Sequence, residues 1–145
     1  MFGGTMIGLL VTPIKMRLGP LMDGIITMES FTPAPSFNFP GLQAVLAKYR
    51  GKAAGEKIDP FGYGFVPFAY AAGQILAEAV TATKGFDHDK IAKYIHSHKF
   101  STGAGEIAYN KNGVWTAERT VFTQFQNVAP NDMQQFSKVD HQVIL

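Results

Sequence analysis

The chain contains no cysteine, which excludes disulfides and thiolate metal sites. The same absence suits an exported bacterial protein as well as a cytosolic one, so composition leaves the compartment open. Charge is sparse and nearly balanced, with 13 Lys and Arg against 11 Asp and Glu in 145 residues. The basic residues are scattered, and the longest grouping, Lys48, Arg50, Lys52 and Lys57, reads as one face and the end of a helix. A nucleic-acid surface needs a concentrated basic stripe, so no nucleic-acid partner is expected. Long apolar runs are also missing. Met6-Ile7-Gly8-Leu9-Leu10-Val11 is soon followed by Pro13 and Lys15, too short for a membrane span. No basic segment precedes it, so it lacks the architecture of a signal peptide and reads as a buried strand or helix start.

What is present is an α/β mixture of about one domain's length. Thr5 to Leu21 carries helix-compatible spacing at Leu9, Leu10, Ile14 and Leu18, interrupted by Pro13 and ended by Gly19-Pro20. Gly24 to Glu29 reads as a short buried strand. Pro33, Pro35 and Pro40 make the stretch from Phe31 an extended connector and the best boundary in the sequence. From Pro40 to about Ala54, Leu42, Val45, Leu46 and Tyr49 recur at helical spacing. An aromatic, glycine-broken turn follows, Asp59-Pro60-Phe61-Gly62-Tyr63-Gly64-Phe65, running into a helix from Phe68 to a glycine stop at Lys84-Gly85. Asp87 is placed to cap a third helix with Ile91, Tyr94 and Ile95 on its buried face. Glu106 to Tyr109 and Val114 to Thr116 read as a hairpin around Asn110-Lys111-Asn112-Gly113. Thr120 to Gln126 alternates as a half-buried strand, and the tail from Asn131 suits a short helix and an extended end. Three helices between Pro40 and His98 call for more sheet than this order supplies.

Chemistry is thinly represented. His96 and His98 lie two apart, a spacing that does not share a helix face, and a metal site there would require Glu106 as well. A solvated helix end is the simpler account. Asp87 and Asp89 beside His88 suit the first turn of a helix. Gly103-Ala104-Gly105 precedes a strand, the reverse of a phosphate loop. Ser97 and Ser101 lack a glycine elbow. No catalytic residue, metal ligand or cofactor is therefore assigned, and no enzyme is expected. The aromatic turn is the better candidate, because ligand pockets are mostly apolar and aromatic. Phe61 and Phe68 favour the core, while Phe65 suits core and cleft equally.

Gly41-Leu42-Gln43-Ala44-Val45-Leu46-Ala47-Lys48-Tyr49, the helix Ala69 to Val80, Ile91-Ala92-Lys93-Tyr94-Ile95, Phe100 to Tyr109 and Asn112-Gly113-Val114-Trp115 form an ordered set. That set resembles the later half of the type I periplasmic substrate-binding proteins of ABC transporters, the branched-chain amino-acid-binding family. The resemblance runs from about Gly3 to Phe125. It implies a partial type I periplasmic-binding fold, with pieces of two lobes joined by hinge crossings. Residues 1–30 would end the second lobe, 31–37 form a hinge linker, 38–113 close the first lobe, and 114–145 cross the hinge and return. It further implies a periplasmic solute-binding component of an importer, with a permease as partner. Its ligand would be an amino acid or another small carboxylate, held by Thr5, Met6 and Phe65 as the lobes close. The family's hydroxyl-rich loop for the ligand carboxylate and its signal peptide would lie upstream. The competing expectation is a non-binding association module that forms a homodimer, or pairs with a missing half, through exposed sheet edges.

Overall fold

The computed structural model describes residues 3–4, 7–117, 120–138 and 140–145. Among the described residues, two sheets and four α-helices are built in the order β1 (Gly3–Gly4), α1 (Thr12–Leu18), β2 (Ile26–Glu29), α2 (Leu42–Glu56), α3 (Val66–Thr83), α4 (His88–Ser97), β3 (Lys99–Thr102), β4 (Gly105–Ala108), β5 (Val121–Phe125) and β6 (Gln142–Ile144). The larger sheet has the order β1-β2-β5-β6, with β1 parallel to β2 and the other neighbours antiparallel. The two ends of the sequence therefore meet in one sheet. Between the strands of that sheet, α3 packs against α2, α4 and β3.

The first expected helix is broken into shorter pieces. A 3-10 turn at Ile7–Leu10 leads into α1, and a second at Gly19–Met22 follows it. Pro13 is tolerated because it falls in the first turn of α1, where its missing N–H has no helical partner to lose. The strand expected over Gly24 to Glu29 forms at its C-terminal part. The proline stretch is less a free connector than part of the core. Phe31 and Phe37 are buried, meet edge to face with ring centroids 5.8 Å apart, and join Leu42, Leu46, Phe61 and Tyr63 in one cluster.

The three expected helices all form. Leu42 and Leu46 are buried on α2, Ile75 on α3 and Ile91 on α4. The stop of α3 differs in detail from a glycine cap. Lys84, not Gly85, takes the left-handed conformation (φ 55°), and Gly85 N–H returns to the Val80 carbonyl. Asp87 caps α4 as expected, its Oδ1 accepting from the Asp89 and Lys90 N–H groups at 3.1 Å each. Asp87→Ala is expected to cost about 1 kcal/mol, read as a lower denaturant midpoint at unchanged slope.

The expected hairpin forms as a short pairing, and a longer one precedes it. β4 pairs along its length with β3, through the tight turn Gly103-Ala104 and Gly105 at φ 91°, and its end also meets Val114 to Thr116. Phe100 and Ile107 face each other in that register and are both buried against α3 with Ala71 and Ile75. Burial of that pair selects the register. Thr102 Oγ1 accepts from Ala104 N–H and donates to the Gly105 carbonyl, while Gly103 N–H donates to Gln74 Oε1 on α3. The turn at Asn110 to Gly113 carries the bridge Tyr109–Trp115, flanked by backbone bonds from Asn110 N–H to the Val114 carbonyl and from Thr116 N–H to the Ala108 carbonyl. There the Asn110 side chain accepts from the Asn112 and Val114 N–H groups, which closes the turn.

β5 follows its expected alternation, with Thr123 and Phe125 buried and Phe122 exposed. The inner face of its sheet is covered by α1, by the aromatic turn and by the 3-10 turn Gln134–Ser137. Apolar side chains remain exposed along α3, Tyr70 and Leu76 among them. No helix among the described residues is long and apolar enough to cross a membrane.

Candidate functional site

The junction of α1, α2 and the aromatic turn is organised by Asp59. Its Oδ2 accepts from Thr12 N–H, the first residue of α1, at 2.6 Å. Its Oδ1 accepts from Phe61 N–H at 3.0 Å, and its carbonyl accepts from the Tyr49 hydroxyl at 2.7 Å. The turn is thereby tied to α1 and to α2 at once. Phe61 and Tyr63 point into the core, edge to face at 5.8 Å. Phe65, immediately before α3, is left 65% exposed.

Phe65 lines a cleft of about 430 Å3 with Ser30, Gly64, Phe68, Trp115 and Thr120. Three separated segments converge there: the end of β2, the start of α3 and the chain leading into β5. Phe68 and Trp115 meet edge to face with centroids 6.0 Å apart. Aromatic faces with two hydroxyls at the margin suit a small amphipathic molecule. A larger groove of about 760 Å3 runs between α2 and α3, past Ala44, Val45, Tyr49 and Tyr70, with Lys48 and Lys52 at its side. It is walled by two helices and an adjoining turn and lacks the convergence of segments that marks the junction cleft.

Behind the cleft lies a buried polar group. Glu29 on β2 and Lys15 on α1 both face a cavity of about 20 Å3, room for about one water molecule, together with Tyr63, Gly64, Phe136 and Gln142. Gly64 borders this cavity and the cleft alike, and a Cβ there would meet Leu10 Cδ1 at 3.2 Å. Gln142 Nε2 donates to Glu29 Oε1 at 2.9 Å and to Thr123 Oγ1 at 3.0 Å. Lys15 Nζ lies over the rings of Phe125 and Phe136, 5.5 and 5.2 Å from their centroids. Burial pushes the Glu29 carboxyl up from 4.5 to about 7, against the pull of Lys15 and of the Gln142 hydrogen bond. Burial lowers Lys15, with Glu29 and Asp59 opposing. Tyr63 is raised by burial, and its hydroxyl accepts from Arg50 Nη1 at 3.2 Å.

Of the residues singled out from sequence, Phe65 lies on the cleft, whereas Thr5 and Met6 lie outside the described residues. His96 and His98 are engaged locally. His96 Nδ1 is 3.2 Å from the Asn110 carbonyl, and His98 stacks on Tyr94 at 3.8 Å with its Nδ1 near Ser97 Oγ and the Tyr94 carbonyl. Among the described residues no group of His, Asp and Glu is placed to hold a metal ion. Sequence reasoning missed Lys15, Glu29 and Gln142. The one local signal was Glu29 in phase with buried Thr27 on β2, which placed a carboxylate on the covered face.

No family model matches the chain, and no curated protein matches it. Solved structures do. A leucine-binding protein from Thermotoga maritima is 19% identical, with a TM-score of 0.61, over 83% of this chain and 35% of that one. A solute-binding protein of an ABC transporter from R. palustris, solved with benzoate, is 19% identical at a TM-score of 0.58, over 91% and 32%. A branched-chain amino acid ABC transporter periplasmic ligand-binding protein from Burkholderia xenovorans is 18% identical at 0.61, over 93% and 33%. The chain thus has part of the periplasmic-binding-protein fold, and it spans about a third of the length of the structures it matches.

Proposed function

We propose that this chain is a solute-binding module of the ABC-importer kind, holding a small amino-acid-like or carboxylate metabolite in the junction cleft without chemistry on it. The observation that carries the reading is the convergence of Ser30, Phe65, Phe68, Trp115 and Thr120 from three segments onto one cleft. Residues 1–30 and 114–145 then belong to one lobe, 38–113 to the other, and 31–37 to the hinge between them. Phe65 contributes an exposed ring from the start of α3, and a role for Thr5 and Met6 in holding the ligand rests on the family resemblance alone. A permease is the natural partner and the periplasm the natural compartment, both by analogy with the proteins that share the fold.

A panel of leucine, phenylalanine and benzoate tests this by thermal unfolding. A ligand that binds only the folded chain stabilises it by about 2.7 kcal/mol at a hundredfold excess over Kd, a rise of several degrees in Tm. Phe65→Ala removes an exposed ring, so its own Tm is expected to stay within the effect of about 0.5 kcal/mol while the ligand-induced rise disappears. No rise with any compound argues against the binding function, and a rise that survives in Phe65→Ala moves the site away from this cleft.

A further inference from the structure

The buried group behind the cleft is not required by solute binding, yet it joins β2 to β6, the last strand of the chain. Glu29 is 2% exposed, and its carboxylate is fastened to β6 through Gln142. β6 is an outer strand of three residues, held to β5 by the pairs Thr123–Ile144, Gln124–Val143 and Phe125–Gln142. The 3-10 turn before it places Phe136 against Phe125 and beneath Lys15 Nζ. The C-terminal segment is therefore the cover of the cavity that Glu29 and Lys15 share. We propose that Glu29 and Lys15 form a pH-sensitive latch, in which deprotonation of the Glu29 carboxyl loosens β6 and the Phe136 turn from the sheet.

The sign follows from the burial. With the folded value near 7 against an ordinary 4.5, the closed segment favours the protonated acid. That advantage is fully present at acid pH and is lost as pH rises from about 4.5 through 7. Ionised Glu29 gains from Lys15 and from a charge-assisted bond to Gln142, but desolvation is the larger effect. Opening the segment lets water reach the carboxylate. The surrounding charged and titratable groups are Lys15 from α1, Asp59 and Tyr63 from the aromatic turn, and Arg50 and Tyr49 from α2. Lys15's own desolvation acts in the opposite sense, favouring the closed state as pH rises. His141 adjoins β6, with Nδ1 3.1 Å from the Gln126 carbonyl, and needs its own control.

Amide hydrogen exchange of the full chain tests the latch, read at Val143 to Leu145 and divided by the intrinsic rate at each pH. Protection is expected to fall by about tenfold or more between pH 5.5 and 8. In Glu29→Gln, which keeps an acceptor for Gln142 but cannot ionise, protection is expected to stay flat. In Lys15→Met the fall is expected at higher pH, because the opposing ammonium is gone, and this variant serves if Glu29→Gln does not fold. The proposal is overturned by flat protection in the parent chain, by a fall that persists in Glu29→Gln, by an unmoved midpoint in Lys15→Met, or by loss of the fall in His141→Gln.

Discussion

Phe125→Ala is expected to lower stability by about 3–5 kcal/mol, the usual range for removing a fully buried aromatic ring. Phe125 has no exposure at the end of β5 and packs among Leu9, Met22, Val128 and Phe136. Its ring also faces Lys15 Nζ, so truncation leaves a cavity beside a desolvated amine. Single domains hold about 5–15 kcal/mol in total, so the loss is a large share of the whole. Phe122, three residues earlier on the same strand, is 57% exposed and serves as the control. Phe122→Ala is expected to stay within about 0.5 kcal/mol. Urea unfolding of the two variants measures the contrast. Equal losses would mean that the strand does not present its faces as described.

That strand was also the easiest to read. Thr120 to Gln126 alternates because one face is covered and the other wet, and a period of two survives any error in the ends. The helices were legible for the same reason, since Leu42 and Leu46, or Ile91 and Ile95, recur on one side. The hairpin was legible only in part, because Gly103-Ala104 and Asn110 to Gly113 both carry turn residues and both turns form. That β3 pairs along the whole of β4 rests on Phe100 and Ile107 burying together against α3, a tertiary fact. The proline stretch was legible as a break, but not the fate of Phe31 and Phe37, which share a core with a turn some 30 residues away in the chain. Phe61 was expected in the core and Phe65 equally in core or cleft, and the packing of Phe61 and Tyr63 with Phe31 and Leu46 turns two rings inward while Phe65 stays out. The pairing behind them was not legible: Gln142 and Glu29 lie 113 residues apart, and no local pattern couples them.

Asp59→Ala should therefore reach both stability and the cleft. The substitution removes two acceptors, from Thr12 N–H and Phe61 N–H, while the Tyr49 hydroxyl keeps its backbone carbonyl. Thr12 is fully buried at the start of α1, so its N–H is left without an acceptor in a place water reaches poorly. Bonds to a charged group contribute about 1.5–3 kcal/mol each, and partial relaxation of the turn brings the expected total to about 2–4 kcal/mol. Asp59→Asn keeps one side-chain oxygen and is expected to recover part of that loss. Because the turn also sets the direction of Phe65, any ligand-induced rise in Tm should shrink with it. The pattern across variants separates the roles: Phe65→Ala loses the ligand response at nearly unchanged stability, and Phe125→Ala loses stability through the core. Asp59→Ala loses both together, because one carboxylate holds α1 and the aromatic turn in register. An Asp59→Ala chain that unfolds at the parent midpoint would mean that the turn is held by its buried rings alone.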